Sequence, residues 1–395
     1  MNKTEQLLLD LLARGLFDAP RSFDPTTTDW AALLREAGAH TVIPLVYDSL
    51  RSEERDHIPA DLLPLWQRSV MTTLWQNEQL AAEQRRLLTL LPFPCVILKG
   101  SSSAMNYPKP ELRCSGDMDL LLSPGDIEAA QRILCAQGYT PSEGEPGSDS
   151  HRVMCRGSFV AELHHAPSGL PNTPVGDALR DYFRDAPRNT ILHDELPILP
   201  VDRRAVLLLT HSLDHVLTSG LGLRHLCDWA VFAARELSPG LWESLLPTLK
   251  QFGLHRFALI LARACVEYLG LPPHLCPWCM DAPSAASRAL MEDLLRSGNF
   301  GRKENRYGQR LFTDASAKNP MFSFLHTGIR VCREKWPVCQ AHPILLPVAP
   351  FVLLWRYRTQ RRAGTRPPLR PFHVYQGAAD RQDLFRQLCA FQPEE

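Results

Sequence analysis

The chain has 395 residues, 45% of them hydrophobic and 22% charged, with 43 basic side chains against 43 acidic ones and no net charge. That balance excludes a disordered or fibrous chain and leaves no global field to recruit nucleic acid or an anionic membrane. Eleven cysteines without dense, regular spacing exclude a secreted disulfide scaffold and read as free thiols of a reducing, cytoplasmic compartment.

From residue 3 to about residue 90, apolar residues recur three and four apart, as in Leu7, Leu8, Leu11 and Leu12 and again in Leu62, Leu63, Leu65 and Trp66, which predicts a helical region over 1–90. Glu5, Asp10 and Arg14 interrupt the first apolar stretch, so it reads as an amphipathic helix and not as a signal peptide. Pro59, Pro92 and Pro94 punctuate the region. Short apolar runs follow at Cys95 to Leu98, Leu120 to Leu122, Val153 to Cys155 and Phe159 to Leu163, with a helical stretch from Pro124 to Gln137 among them. Glu143 to Ser150, rich in Gly, Ser and acids, reads as an exposed loop. Thr190 to Leu199 reads as a strand pair turning at His193-Asp194-Glu195. After Pro200 the helical period returns over Arg204 to Leu217, Arg224 to Glu236, Trp242 to Phe252 and Arg256 to Leu269.

The expectation is an α+β (mixed) fold, with a small sheet core over 91–200 between helical regions at 1–90 and 201–395. The apolar stretch Ile344 to Trp355 contains Pro347 and Pro350 and falls short of the roughly 20 residues a membrane-spanning helix needs, so it reads as buried, with an interfacial segment on a membrane surface as the alternative. Behind it, Arg356, Arg358, Arg361, Arg362, Arg366 and Arg370 form a local basic patch within an Arg/Pro-rich segment.

Two blocks carry chemistry. Lys99-Gly100-Ser101 follows an apolar run where a helix should begin, and the free backbone N–H groups of a helix start can hold a phosphate. Asp117 and Asp119 stand two apart at the mouth of Leu120 to Leu122. On a strand that spacing sends both carboxylates to one face, about 6–7 Å apart, where hard oxygens can share a divalent cation. Phosphoryl and nucleotidyl transfer commonly use two such cations about 3.5–4 Å apart, and Glu162, in another strand-like run, is the candidate third carboxylate. Lys99 and Arg113 are candidates to steady a polyphosphate, one as a point charge and the other by a two-pronged contact, and Arg113 reads equally as half of a structural salt bridge.

The order KGSSSAMNYP, then RCSGDMDLLL, then Glu162-Leu163-His164 resembles the uncharacterised bacterial branch of the polymerase-β-type nucleotidyltransferases. Gly222 to Trp229 and Gly298 to Gly301 resemble that family's helical tail. The resemblance implies a small nucleotidyltransferase sheet, a magnesium or manganese cofactor, and transfer of a nucleoside monophosphate from ATP or another NTP to an acceptor with release of pyrophosphate. It gives Gly100 and Ser101 the phosphate turn, Asp117 and Asp119 the metal, and Glu162 the third ligand position. The acceptor stays open among a protein, a small molecule and an RNA, and the oligomeric state stays open too. The alternative is a catalytically silent nucleotide-binding scaffold on the same fold.

The remaining clusters read more plainly. His164 reads as an ordinary core or surface histidine, with a partner behind a metal ligand or an acceptor-side base as the alternative. His211 and His215 lie one turn apart on one helix face but lack the Glu placement of the zincin motif, so they read as core or surface histidines, with a metal-binding pair as the alternative. Cys276 and Cys279 have C-x-x-C spacing without a second pair and read as structural. Arg224 and Asp228, at helical spacing, read as a surface ion pair, with a place facing the cleft as the alternative.

Overall fold

In the computed structural model, the described residues are 1–142, 151–171, 173–303, 329, 342–348, 351, 352, 355, 358, 359 and 381–394. The expected loop at 143–150 and the basic segment at 356–370, apart from Arg358 and Thr359, lie outside them. The fold is mixed α+β.

Helix α1 (Lys3–Phe17) opens on a reciprocal cap: Asn2 accepts from the Glu5 N–H, and Glu5 accepts from the Asn2 N–H. Its apolar stripe buries Leu8, Leu9, Leu11, Leu12 and Leu16. Helices α2 (Trp30–Ala39), α3 (Ile43–Ser49) and α4 (Ser52–Arg55) lead to the long α5 (Leu63–Leu90), which starts with a proline in its first turn, where a missing N–H costs nothing.

Among the described residues seven strands follow: β1 (Cys95–Ile97), β2 (Met118–Leu122), β3 (Thr140–Pro141), β4 (His151–Arg156), β5 (Phe159–His164), β6 (Ile191–His193) and β7 (Leu196–Ile198). They form one sheet in the order β3-β4-β5-β2-β1-β7-β6, with β2 parallel to β5, β1 parallel to β7 and the other neighbours antiparallel. The hairpin of β6 and β7 turns at Asp194 and Glu195, with φ of 46° and 68°, the left-handed pair whose twist suits a two-residue connection. The short α6 (Ser101–Ala104), α7 (Ile127–Ala136) and α8 (Pro174–Phe183) interleave with the strands.

Alternation along the strands divides the sheet into two faces. Ile97, Met118, Leu120, Leu122, Ala161 and Leu163 pack with Leu80 and Leu87 of α5 and Ala130 and Leu134 of α7 in one cluster. Val96, Leu98 and Leu121 face the other way, into a larger cluster shared with the helices α9 (Val201–Leu217), α10 (Leu223–Glu236), α11 (Pro239–Gln251), α12 (His255–Leu269) and α13 (Ser284–Ser297). That cluster also holds the buried leucines of α1.

Sequence patterning does not pick out β3, a two-residue strand, or α8 and α13. One expectation is corrected. Within the apolar stretch 344–355, Leu346 is buried, but Ile344, Val348, Phe351 and Trp355 are exposed. Apolar composition states what a segment gains by burial, not which surface receives it. No helix among the described residues is long and apolar enough to cross a membrane.

Candidate active site

The site is built on the junction of β1, β2 and β5. Asp119 lies directly opposite Glu162 in the parallel β2–β5 pair, and Leu121 lies opposite His164. A side-chain period of two then puts Asp119, Glu162 and His164 on one face, while Met118, Leu120, Ala161 and Leu163 point into the apolar cluster behind. On the other side of β2, the Leu98 N–H donates to the Asp119 carbonyl at 3.0 Å, which brings Lys99 and Gly100 alongside. Gly100 has φ of 70° and ψ of −104°, a backbone that disfavours any Cβ, and a Cβ built there would lie 3.7 Å from the Asp117 carbonyl oxygen. Strand pairing thus closes the separation in sequence between the Lys99-Gly100 turn and the two aspartates.

Asp119 is 2% exposed and shares its Oδ1 between two cationic partners, Lys99 Nζ at 3.2 Å and His164 Nε2 at 3.0 Å. Burial opposes its charge, yet Lys99 and His164 hold its pKa down to about 2. His164, fully buried, also reaches Glu162 Oε2 at 3.2 Å. Burial disfavours its imidazolium, but the hydrogen bonds to Asp119 and Glu162 prevail and raise its pKa, and the bond from His164 lowers that of Glu162. Asp117 opens to solvent just ahead of β2, and the protein around its carboxyl, followed by the charge of Asp119, raises its pKa. The ligand atoms of Asp119, Glu162 and His164 all lie within 4.8 Å of one another, close enough to hold one metal ion.

Two of the remaining candidates are already engaged. The Ser101 hydroxyl donates to Gln84 of α5 at 2.6 Å, so it anchors the turn to that helix. Arg113 is 5% exposed, and its Nε and Nη2 donate to the two carboxylate oxygens of Asp228 at 2.8 and 2.7 Å. The Tyr107 hydroxyl donates to Asp228 as well, at 2.7 Å. Asp228 therefore pairs with Arg113 in the interior, and the expected surface pair with Arg224 is corrected: α10 buries that stripe against the loop before β2, where Arg224 donates to the Cys114 carbonyl at 3.2 Å. Asn77 of α5 fixes the same loop by donating to the carbonyls of Glu111 and Arg113.

Sequence patterning held no signal for His151. Its ring stacks on His164, with centroids 5.2 Å apart and planes 28° apart, because β4 and β5 pair His151 with His164. Only the register makes it a neighbour of the carboxylates. Cys276 and Cys279 are buried, and burial raises their pKa values to about 12 and about 11, so both are packed thiols and not thiolates. The described cysteines are all free.

No curated protein and no solved structure matches the chain. The family described as "Uncharacterised nucleotidyltransferase" matches residues 26–270, which span the site from α2 through α12 and make up more than half of the chain, and the chain belongs to that family.

Proposed function

We propose that the chain is a magnesium- or manganese-dependent nucleotidyltransferase of the polymerase-β type, which moves a nucleoside monophosphate from an NTP to an acceptor and releases pyrophosphate in the cytoplasm. The observation that carries this reading is the cross-strand pair of Asp119 and Glu162 with Lys99 against the same carboxylate. The donor set suits such an ion, since its oxygens are hard and, after burial, the charges of Asp119 and Glu162 both push up the pKa of Asp117, as in carboxylates gathered for a cation. Asp117, Asp119 and Glu162 would hold the ion, which when bound neutralises the charge of the polyphosphate at the attacked phosphorus.

The other residues act by position and charge. His164 orients Asp119 and Glu162 through its Nε2 and, fully buried, serves the ligands and not the acceptor. Lys99 acts on phosphate oxygens as a point charge. Gly100, without a side chain, lets phosphate approach the backbone N–H groups of Ser101 and its neighbours. Arg113 is a positioning residue that ties the loop before β2 to α10 through Asp228. Residues 91–200 form the catalytic core in this reading, and the helical regions 1–90 and 201–395 shape the side that receives the acceptor, whether protein, small molecule or RNA.

The test incubates the protein with each NTP, magnesium and a cell extract, and reads pyrophosphate release and mass additions of a nucleoside monophosphate. Asp119→Asn lowers both by at least roughly 100-fold with the circular dichroism spectrum unchanged. Undiminished turnover in that variant overturns the reading, and NTP binding without turnover in the wild type favours the silent scaffold.

A further inference from the structure

A second cluster of chemically competent side chains lies on α9 and α10. His211 and His215, one turn apart on α9, have their Nε2 atoms 3.2 Å from each other. The ring of His225, near the start of α10, has its centroid 4.8 Å from that of His215 and 5.4 Å from that of His211. One ring nitrogen from each of the three lies within 4.8 Å of the other two. His225 is 4% exposed, and among the described residues neither of its ring nitrogens has a hydrogen-bond partner. A buried imidazole with both nitrogens unsatisfied calls for a partner of another kind.

We propose that His211, His215 and His225 form a zinc site with an open fourth position, made of residues other than the carboxylates on the sheet. Zinc takes imidazole nitrogens at about 2.0–2.1 Å in a tetrahedron, which sets ligand nitrogens about 3.4 Å apart, close to the observed His211–His215 separation. The outer nitrogen of His215 is already fixed, its Nδ1 lying 2.8 Å from Ser219 Oγ, the arrangement that orients a ligating imidazole and selects its tautomer. Phe300 crosses His215 and His225 at centroid distances of 4.9 and 5.7 Å and forms an apolar wall. An all-nitrogen set selects zinc over magnesium, which seeks oxygen. Three protein ligands leave a position for water or a substrate group, as in catalytic and not structural zinc sites.

The sequence alone shows only the His211–His215 pair. The third ligand comes from the next helix, after the turn at Gly220 to Gly222.

The test strips the full-length protein with chelator and adds zinc, or cobalt as a spectroscopic probe, in excess magnesium. One zinc per chain survives desalting, and cobalt gives the intense visible bands of a tetrahedral site, which zinc displaces. His225→Ala and His211→Gln each weaken zinc binding at least tenfold, while Asp119→Asn leaves it unchanged. His211 is only partly buried, so His211→Gln decides the matter if His225→Ala fails to give a native circular dichroism spectrum. The absence of bound zinc in the wild type, its retention in a folded histidine variant, or its loss in Asp119→Asn overturns the proposal.

Discussion

Arg113 and Asp228 show how burial makes a charge depend on its partner. Both are nearly inaccessible, and removing the guanidinium leaves a carboxylate stranded in the interior. Arg113→Ala is therefore expected to cost about 3–5 kcal/mol, read as a drop in the urea midpoint. His215 supplies a pH dependence. Burial, reinforced by Lys99 and Arg224, lowers its pKa from 6.5 to about 3. As pH falls below about 6.5 the unfolded chain takes up a proton that the folded chain refuses until about pH 3, so stability falls across that window. Between about pH 7 and about pH 5 this one group removes about 2 kcal/mol, and in chelator His215→Gln is expected to flatten the pH dependence of unfolding by that amount. At this scale Asp117, Asp119 and Glu162 were candidates from their places on strand-like runs, but the register that sets Asp119 opposite Glu162 was not legible, because spacing along one strand says nothing of its neighbour. A salt bridge at Arg113 was an open reading, but its partner was hidden, because Asp228 lies 115 residues further on and only tertiary packing brings it there.

The turn between α9 and α10 sets how those helices meet the segment after α13. A Cβ added at Gly222 would fall 2.7 Å from the Asn299 Cβ and 2.8 Å from its Cα, so the turn and that segment would have to separate. Gly222→Ala is expected to cost about 1–3 kcal/mol, seen as a lower melting temperature. The long helices were readable from their apolar period, and the β6–β7 hairpin from its polar turn between apolar runs. Their first turns were less so: α9 begins at Val201 and α11 at Pro239, ahead of the apolar residues that signal them. The strand β3 escaped because two exposed residues carry no alternation, and its pairing with β4 alone defines it.

Across the whole molecule, helices that precede and follow the strands share one core: Leu8, Leu12 and Leu16 of α1 belong to the same cluster as Phe257, Leu261 and Cys265 of α12. Deleting residues 1–17 uncovers that surface. Each large side chain there contributes about 1.5–3 kcal/mol, so together the leucines of α1 rival the 5–15 kcal/mol of a typical folded protein. The truncated chain is expected to lose its cooperative thermal transition, as followed by circular dichroism. Sheet order was the least legible property, because the neighbours of β2 are chosen by packing on both faces and not by chain order. The parallel register of β2 with β5 also sets where the chain tolerates changes in length. An extra residue in the exposed turn from Pro108 to Pro110 can be absorbed, but one inserted inside β2 turns the strand over. It would drive a carboxylate into the leucines beneath the sheet and present a leucine to Lys99, so length variants should be tolerated in that turn and eliminated just after Asp117.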